Sequence, residues 1–191
     1  MQPIFTIHSG EYLVGSHIEQ KIRDKSGNKF NVWIPSKDAG IDFLITNHDN
    51  SKTASIQVKF SKDFLVTHGR AEYQDKLLSC GWWTLNRTKI QESPADFWVF
   101  VLHTFNEKNM QYVIITPDEL SKRINVLHPD VKSLQTYLWV TASQKCWETR
   151  GLKKKETDSI VIKDDYSEID KETRDFSRFL NNWEPMIEKI T

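Results

Sequence analysis

Two short runs constrain this chain more than any other feature: Gly40-Ile41-Asp42-Phe43-Leu44-Ile45 and Ser55-Ile56-Gln57-Val58-Lys59-Phe60-Ser61. In the first, Ile41, Phe43 and Ile45 alternate with Asp42, Leu44 and Thr46. In the second, Ile56, Val58 and Phe60 alternate with Gln57, Lys59 and Ser61. Period two marks a strand with one buried face. The linker His48-Asp49-Asn50-Ser51-Lys52 is made of turn formers, so the runs are expected to pair as a hairpin. That pairing sets Asp42 beside Gln57 and Lys59, opposite the large apolar side chains. A carboxylate, an amide oxygen and an ammonium then share one small volume. Oxygen donors suit a magnesium ion, and an attacking water gains from a nearby cation.

The Asp42…Gln57-x-Lys59 pattern resembles the PD-(D/E)xK nuclease superfamily, in its QxK form. Asp42 matches the first acid of that motif and Lys59 its lysine. Gln57 stands where a second acid is usual, and Ala39-Gly40-Ile41 precedes Asp42 in place of an intact Pro-Asp. The resemblance implies a restriction-endonuclease-like α/β fold, a central mixed sheet flanked by helices. It also implies Mg²⁺-dependent hydrolysis of DNA phosphodiester bonds, with Mn²⁺ as an alternative ion. Asp42, Gln57 and the main-chain carbonyl of Val58 would be metal ligands, and Lys59 would orient or activate water. A homodimer would let each subunit cut one strand.

Glu11 is the fourth candidate. Ile7, Val14, Ile18 and Ile22 recur at helical spacing, which predicts a helix from about Ile7 to Lys25, capped by Thr6 or Ser9. Glu11 falls within that stripe. One reading sends its carboxylate to the metal site, since a buried acid needs a partner and the superfamily often draws a Glu from its first helix. The other leaves it solvated at the helix's first turn. Gly15, one turn on, is expected to permit close helix–sheet packing.

The 191 residues suit one domain spanning 1–191. Lys+Arg and Asp+Glu both count 26, so no global positive field attracts nucleic acid. The one basic concentration is Lys145, Arg150, Lys153, Lys154 and Lys155, the best candidate for phosphate contact, with a solvated loop as its alternative. The two cysteines, Cys80 and Cys146, give neither a disulfide framework nor zinc spacing, and the six histidines have no ligand spacing. With no signal segment or long apolar run, a cytoplasmic protein away from membranes is expected.

Further elements follow from pattern. Lys29–Ile34 reads as a first strand stopped by Pro35. Asp38 lies in the next loop, as a turn former or a second acid. Lys62–Arg70 is polar and irregular, and Ala71–Cys80 reads as a helix. Trp82 and Trp83 precede Asn86-Arg87-Thr88-Lys89, either one-in, one-out at a strand edge or a nucleic-acid surface. Phe97–Phe105 and Gln111–Ile115 read as central strands joined by a turn at 106–109. Thr116-Pro117-Asp118-Glu119 starts a helix to about Val126, and Leu134–Thr141 is a strand. A last helix is expected from the acidic stretch Asp164–Asp170, burying Phe176, Phe179, Leu180, Trp183 and Ile187. Two functions from different classes remain: a DNA endonuclease of restriction, defence or repair type, and a decayed module on the same fold that binds nucleic acid or protein.

Overall fold

The computed structural model describes residues 3–37, 39–61, 70–103, 110–129, 131 and 133–191, with residues 3–8 described by backbone alone. Asp38, the side chains of Thr6, Ile7 and His8, the 62–69 segment and the 106–109 turn lie outside the described residues.

The hairpin forms as its alternation predicts. β2 (Phe43–Thr46) and β3 (Thr53–Phe60) are antiparallel, with Phe43 opposite Ile56 and Ile45 opposite Ala54. β1 (Asn31–Trp33) lines the outer side of β2. β5 (Phe97–His103) runs parallel to β3, and β6 (Met110–Ile115) closes the five-stranded sheet in the order β1-β2-β3-β5-β6. Parallel neighbours need a crossover. Here it contains β4 (Leu77–Asn86) and the short helix α2 (Arg87–Gln91). β4 pairs with β7 (Ser133–Thr141), which pairs with β8 (Cys146–Glu148), giving a second, three-stranded sheet. The architecture is thus α/β, with a mixed sheet, a smaller antiparallel sheet and flanking helices.

Three cores follow from these faces. The first lies between the five-stranded sheet and helix α1 (Pro3–Lys21), where Val14 and Ile18 meet Phe43, Ile45, Ile56, Val58, Val99 and Val101. The second lies between the sheets, where Trp98, Phe100 and Leu102 meet Trp83, Leu85, Leu138 and Val140. β5 serves both, which is why its sequence is continuously apolar rather than alternating. The third, with Tyr73, Leu77, Cys80 and Trp147, lies behind the small sheet under Ile160 and Val161. Those two follow α4 (Lys154–Asp158) in a wide turn, Ser159–Lys163.

Several expectations are corrected. Helix α1 starts at Pro3, so neither Thr6 nor Ser9 caps it, and it ends at Lys21. Beyond it the Asp24 carboxylate accepts the N–H groups of Ser26 and Asn28, which turns the chain into β1. The close helix–sheet approach is at Gly10, where a Cβ would lie 2.5 Å from Phe60 Cβ. At Gly15 the nearest contact would be an ordinary 3.5 Å. Ala71–Cys80 is a turn, Ala71–Tyr73, followed by strand β4. Ser79, Gly81, Trp83 and Leu85 bury one face of it, a bulge between Leu77 and Ser79 turns Leu77 to the third core, and the period-two pattern prevails over helix propensity. Trp83 points inward and Trp82 is half-buried, so the pair is one-in, one-out on the small sheet's edge strand. β6 is an edge strand rather than a central one.

The last helix is also absent as a single element. Its place is taken by α5 (Lys171–Arg174), a tight turn at Ser177–Phe179 and α6 (Glu184–Ile190). Phe176, Phe179 and Leu180 pack on the second core, whereas Trp183, Met186, Ile187 and Ile190 pack on the first. The segment therefore passes round the β6 edge. Leu180 bridges Val113, the Asn181 N–H donates to the Tyr112 carbonyl at 2.6 Å, and the Asn181 side chain accepts the Tyr112 N–H at 2.9 Å. Covering an unpaired edge outweighs continuing a helix. Helix α3 (Pro117–Leu127) forms as expected, with the Thr116 hydroxyl accepting the Glu119 N–H.

Candidate active site

Asp42 sits just before β2. Ile41 packs on the second core while Phe43 and Ile45 pack on the first, so the expected alternation of all three is corrected: the chain turns at Asp42 as it enters the sheet. The turn fixes the carboxylate. The Asp42 N–H donates to the Ile56 carbonyl at 2.8 Å, and Oδ2 accepts the Val58 N–H at 2.6 Å. The last β2–β3 pair is Phe43 with Ile56, so Val58 lies past the ladder and the Asp42 side chain takes the place of a strand partner. Within a strand, one residue's N–H and C=O leave on the same side. The Val58 carbonyl is therefore directed toward Asp42 as well.

Gln57 and Lys59 flank Val58 and lie on the face of their parallel partners Trp98 and Phe100. Trp98 is the residue that sequence reasoning missed. Its ring is buried, its indole N–H donates to the Ser93 hydroxyl at 2.9 Å, and the Lys59 ammonium lies 4.9 Å from the ring centroid. A cation over an indole is attracted by the ring quadrupole, so the lysine is held on this face by a fixed partner. No local signal reveals this, because the β3–β5 register is set by a crossover.

Glu11 sits in a groove with Tyr12, Gly15, Val32, Ile34 and Phe43, half-buried. Phe43 belongs to the first core, so this groove is on the α1 side of the sheet, across from Gln57 and Lys59. The neighbouring Gly10 lies against Phe60 and Val58, which places Glu11 at the same end of the sheet as Asp42. The structure thus joins Asp42 to Val58, with Gln57 and Lys59 on either side of Val58 along β3, and sets Glu11 at the same end from the opposite side. Among the described residues, no group of three or more His, Cys, Asp and Glu is placed to hold a metal. The donors present are a carboxylate, an amide oxygen and a main-chain carbonyl. They are hard oxygen ligands that fit Mg²⁺ in type, with a single charge between them.

The basic run is divided by the fold. Cys146, Trp147, Glu148 and Thr149 in its middle are buried. Lys145 is exposed on the β7–β8 turn, and the Arg150 guanidinium lies 5.3 Å from the Tyr137 ring and donates to its hydroxyl at 3.0 Å. Lys153 precedes α4, its N–H donating to Glu156 at 2.7 Å. Lys155 pairs with Glu168 at 3.3 Å. Arg87, beside the tryptophan pair, donates to the His128 and Val131 carbonyls and to Asn125, tying α2 to the end of α3.

Comparison with protein families, curated proteins and solved structures finds no match to this chain. No helix among the described residues is long and apolar enough to cross a membrane.

Proposed function

We propose that the protein is a divalent-metal-dependent nuclease that hydrolyses DNA phosphodiester bonds. The observation that carries this reading is the Asp42 carboxylate on the Val58 N–H at 2.6 Å, at the seam where Gln57 and Lys59 flank Val58. The parallel β3–β5 pair and the antiparallel β2–β3 pair also agree with a restriction-endonuclease-like arrangement. Asp42, the Val58 carbonyl and Gln57 would hold the ion, with Glu11 reaching in from α1. When bound, the ion supplies a Lewis acid for the phosphate and lowers the pKa of a water. Lys59 positions the attacking water and offsets charge developing on the phosphate, and Trp98 fixes the ammonium for both tasks. With Gln57 neutral, a single ion suffices for this donor set.

The test is incubation with supercoiled, linear and branched DNA in Mg²⁺ or Mn²⁺, with EDTA as control. Asp42→Asn weakens metal binding and is partly rescued by excess metal. Lys59→Ala lowers kcat by about 10²–10³-fold and is not rescued. Gln57→Glu adds a second carboxylate and tightens metal binding. Cleavage by Lys59→Ala at the wild-type rate would place the chemistry elsewhere. A folded wild type and Gln57→Glu that are both inert on every DNA and RNA form favour the second reading, a binding module. The observation on that side is the lack of a three-acid cluster among the described residues.

A further inference from the structure

We propose that the face of β1–β3 carrying Gln57 and Lys59 binds a nucleic-acid strand with unpaired bases, and that Trp33 is its stacking platform. This deepens the nuclease reading, on which it rests for the phosphate end of that strand.

The second core draws its sheet residues from β5 and β6: Trp98, Phe100, Leu102, Val113 and Ile115. The equivalent face of β1, β2 and β3 is left outside it as a shelf. Leu44, Gln57 and Lys59 are half-buried there, Thr46 and Ser55 are buried, Ser55 with its hydroxyl on Pro94 and Asp96, and Trp33 is 51% exposed. Register puts Trp33 opposite Leu44 and Leu44 opposite Ser55, on the face of Gln57. Two strand spacings of about 4.8 Å and two residue rises of about 3.3 Å separate Trp33 from Gln57, about 12 Å in all. A few nucleotides span that distance.

The indole is held firmly. Its N–H donates to the Thr46 hydroxyl at 3.1 Å, and that hydroxyl donates to Asn50 Oδ1 at 2.6 Å. The Asn31 amide donates to the same oxygen at 3.0 Å. With its polar atom satisfied inside the sheet, the exposed part of Trp33 offers only a π surface. A base presents its own π surface only when it is out of the duplex stack. The chain carries no net charge, so charge alone does not hold a phosphate backbone. Stacking supplies what that field lacks. The competing occupant is a second copy added along the β1 edge. A three-residue strand ending two residues before Pro35 is a poor template for that.

Binding of the full chain to fluorescent single-stranded oligo(dT) and to a blunt duplex is measured by anisotropy in EDTA, so that cutting does not interfere. Wild type is expected to prefer the single strand. Trp33→Ala lowers single-strand affinity about 10-fold with an unchanged melting temperature, and Trp33→Phe keeps most of it. Equal single-strand affinity of wild type and Trp33→Ala overturns the proposal, as does an equal loss on blunt duplex. So does a wild-type dimer in sedimentation that Trp33→Ala dissociates. Stacking that depends on Trp33 in a protein that cuts no DNA leaves this surface standing and removes the nuclease reading alone.

Discussion

Asp42 and Glu148 are both carboxylates set against the main chain of a sheet, and they differ in what occupies their oxygens. Glu148, on β8, is 1% exposed. Its Oε2 accepts Arg174 Nη1 at 2.7 Å. Its Oε1 accepts the Thr136 hydroxyl and the Tyr137 N–H, each at 3.3 Å, and the Arg150 N–H at 3.2 Å. Both oxygens are occupied by donors inside the protein, so Glu148, the more heavily paired acid, is structural. Asp42 is half-buried, with one oxygen on the Val58 N–H. On the nuclease reading proposed above, it is acceptor capacity left over, not the density of charge, that would let Asp42 rather than Glu148 take a ligand.

The largest effect that separates them is in stability. Glu148→Ala leaves the Arg174 guanidinium, whose side chain is 15% exposed, with the Glu148 and Arg150 carbonyls but without its carboxylate, and is expected to cost about 3 kcal/mol in urea unfolding. His128, whose buried Nε2 lies 3.8 Å from Glu148 Oε1 with no hydrogen-bond partner among the described residues, then loses that contact too. Asp42→Asn keeps an acceptor for the Val58 N–H and is expected to cost about 1 kcal/mol or less. Similar losses at the two positions would erase the distinction.

The distinction was half legible in the sequence. The Asp42–Lys59 hairpin could be read because period two and turn chemistry are local, and Phe43, Ile45, Ile56 and Val58 all face the core as their spacing predicts. Trp98 beneath Lys59 could not, because a parallel register depends on a crossover through another sheet. The C-terminal segment failed for a related reason. Phe176, Phe179, Leu180, Trp183 and Ile187 have helical spacing, but the two cores they fill lie on opposite faces of the five-stranded sheet. Glu148 sits in a run that reads as basic and exposed, and only the pairing of β8 with β7 buries it.

Asp96 is an intermediate case that sharpens the comparison. Its Oδ2 accepts the Ser55 N–H at 2.8 Å and the Ser55 hydroxyl at 2.9 Å, and its Oδ1 faces the Lys189 ammonium at 3.1 Å. Burial alone raises its pKa, but the Ser55 donors and Lys189 outweigh that and hold it below the ordinary 3.8. A carboxylate with a depressed folded-state pKa adds stability that is complete above its unfolded value. That stability is lost as pH falls through the folded one. Asp96→Asn is therefore expected to cost about 1 kcal/mol near neutrality, discounted for the partly exposed Lys189. The gap from wild type should close below pH 3.8 in unfolding measured across pH. A gap that persists to low pH would make Asp96 a matter of shape, not charge.

The smallest effect applies the same criterion to cations. Arg150 is committed to Tyr137, and Lys155 shares Glu168 across an exposed pair worth little. Lys153 and Lys154 are exposed at the start of α4. If spare capacity marks a binding group, Lys153 contacts phosphate, while Lys154, attracted to Asp158, and Lys155 do so only in part. Replacing all three by Ala should weaken binding evenly across sequences. Each phosphate contact removed flattens the slope of log affinity against log salt by about 0.7 on a single strand. Glu168→Ala should act in the opposite sense, since it releases Lys155. A triple variant with unchanged affinity and slope would reassign these lysines to a solvated face. Unpaired charge would then have no predictive value for cations here, and the contrast between Asp42 and Glu148 would hold for carboxylates alone.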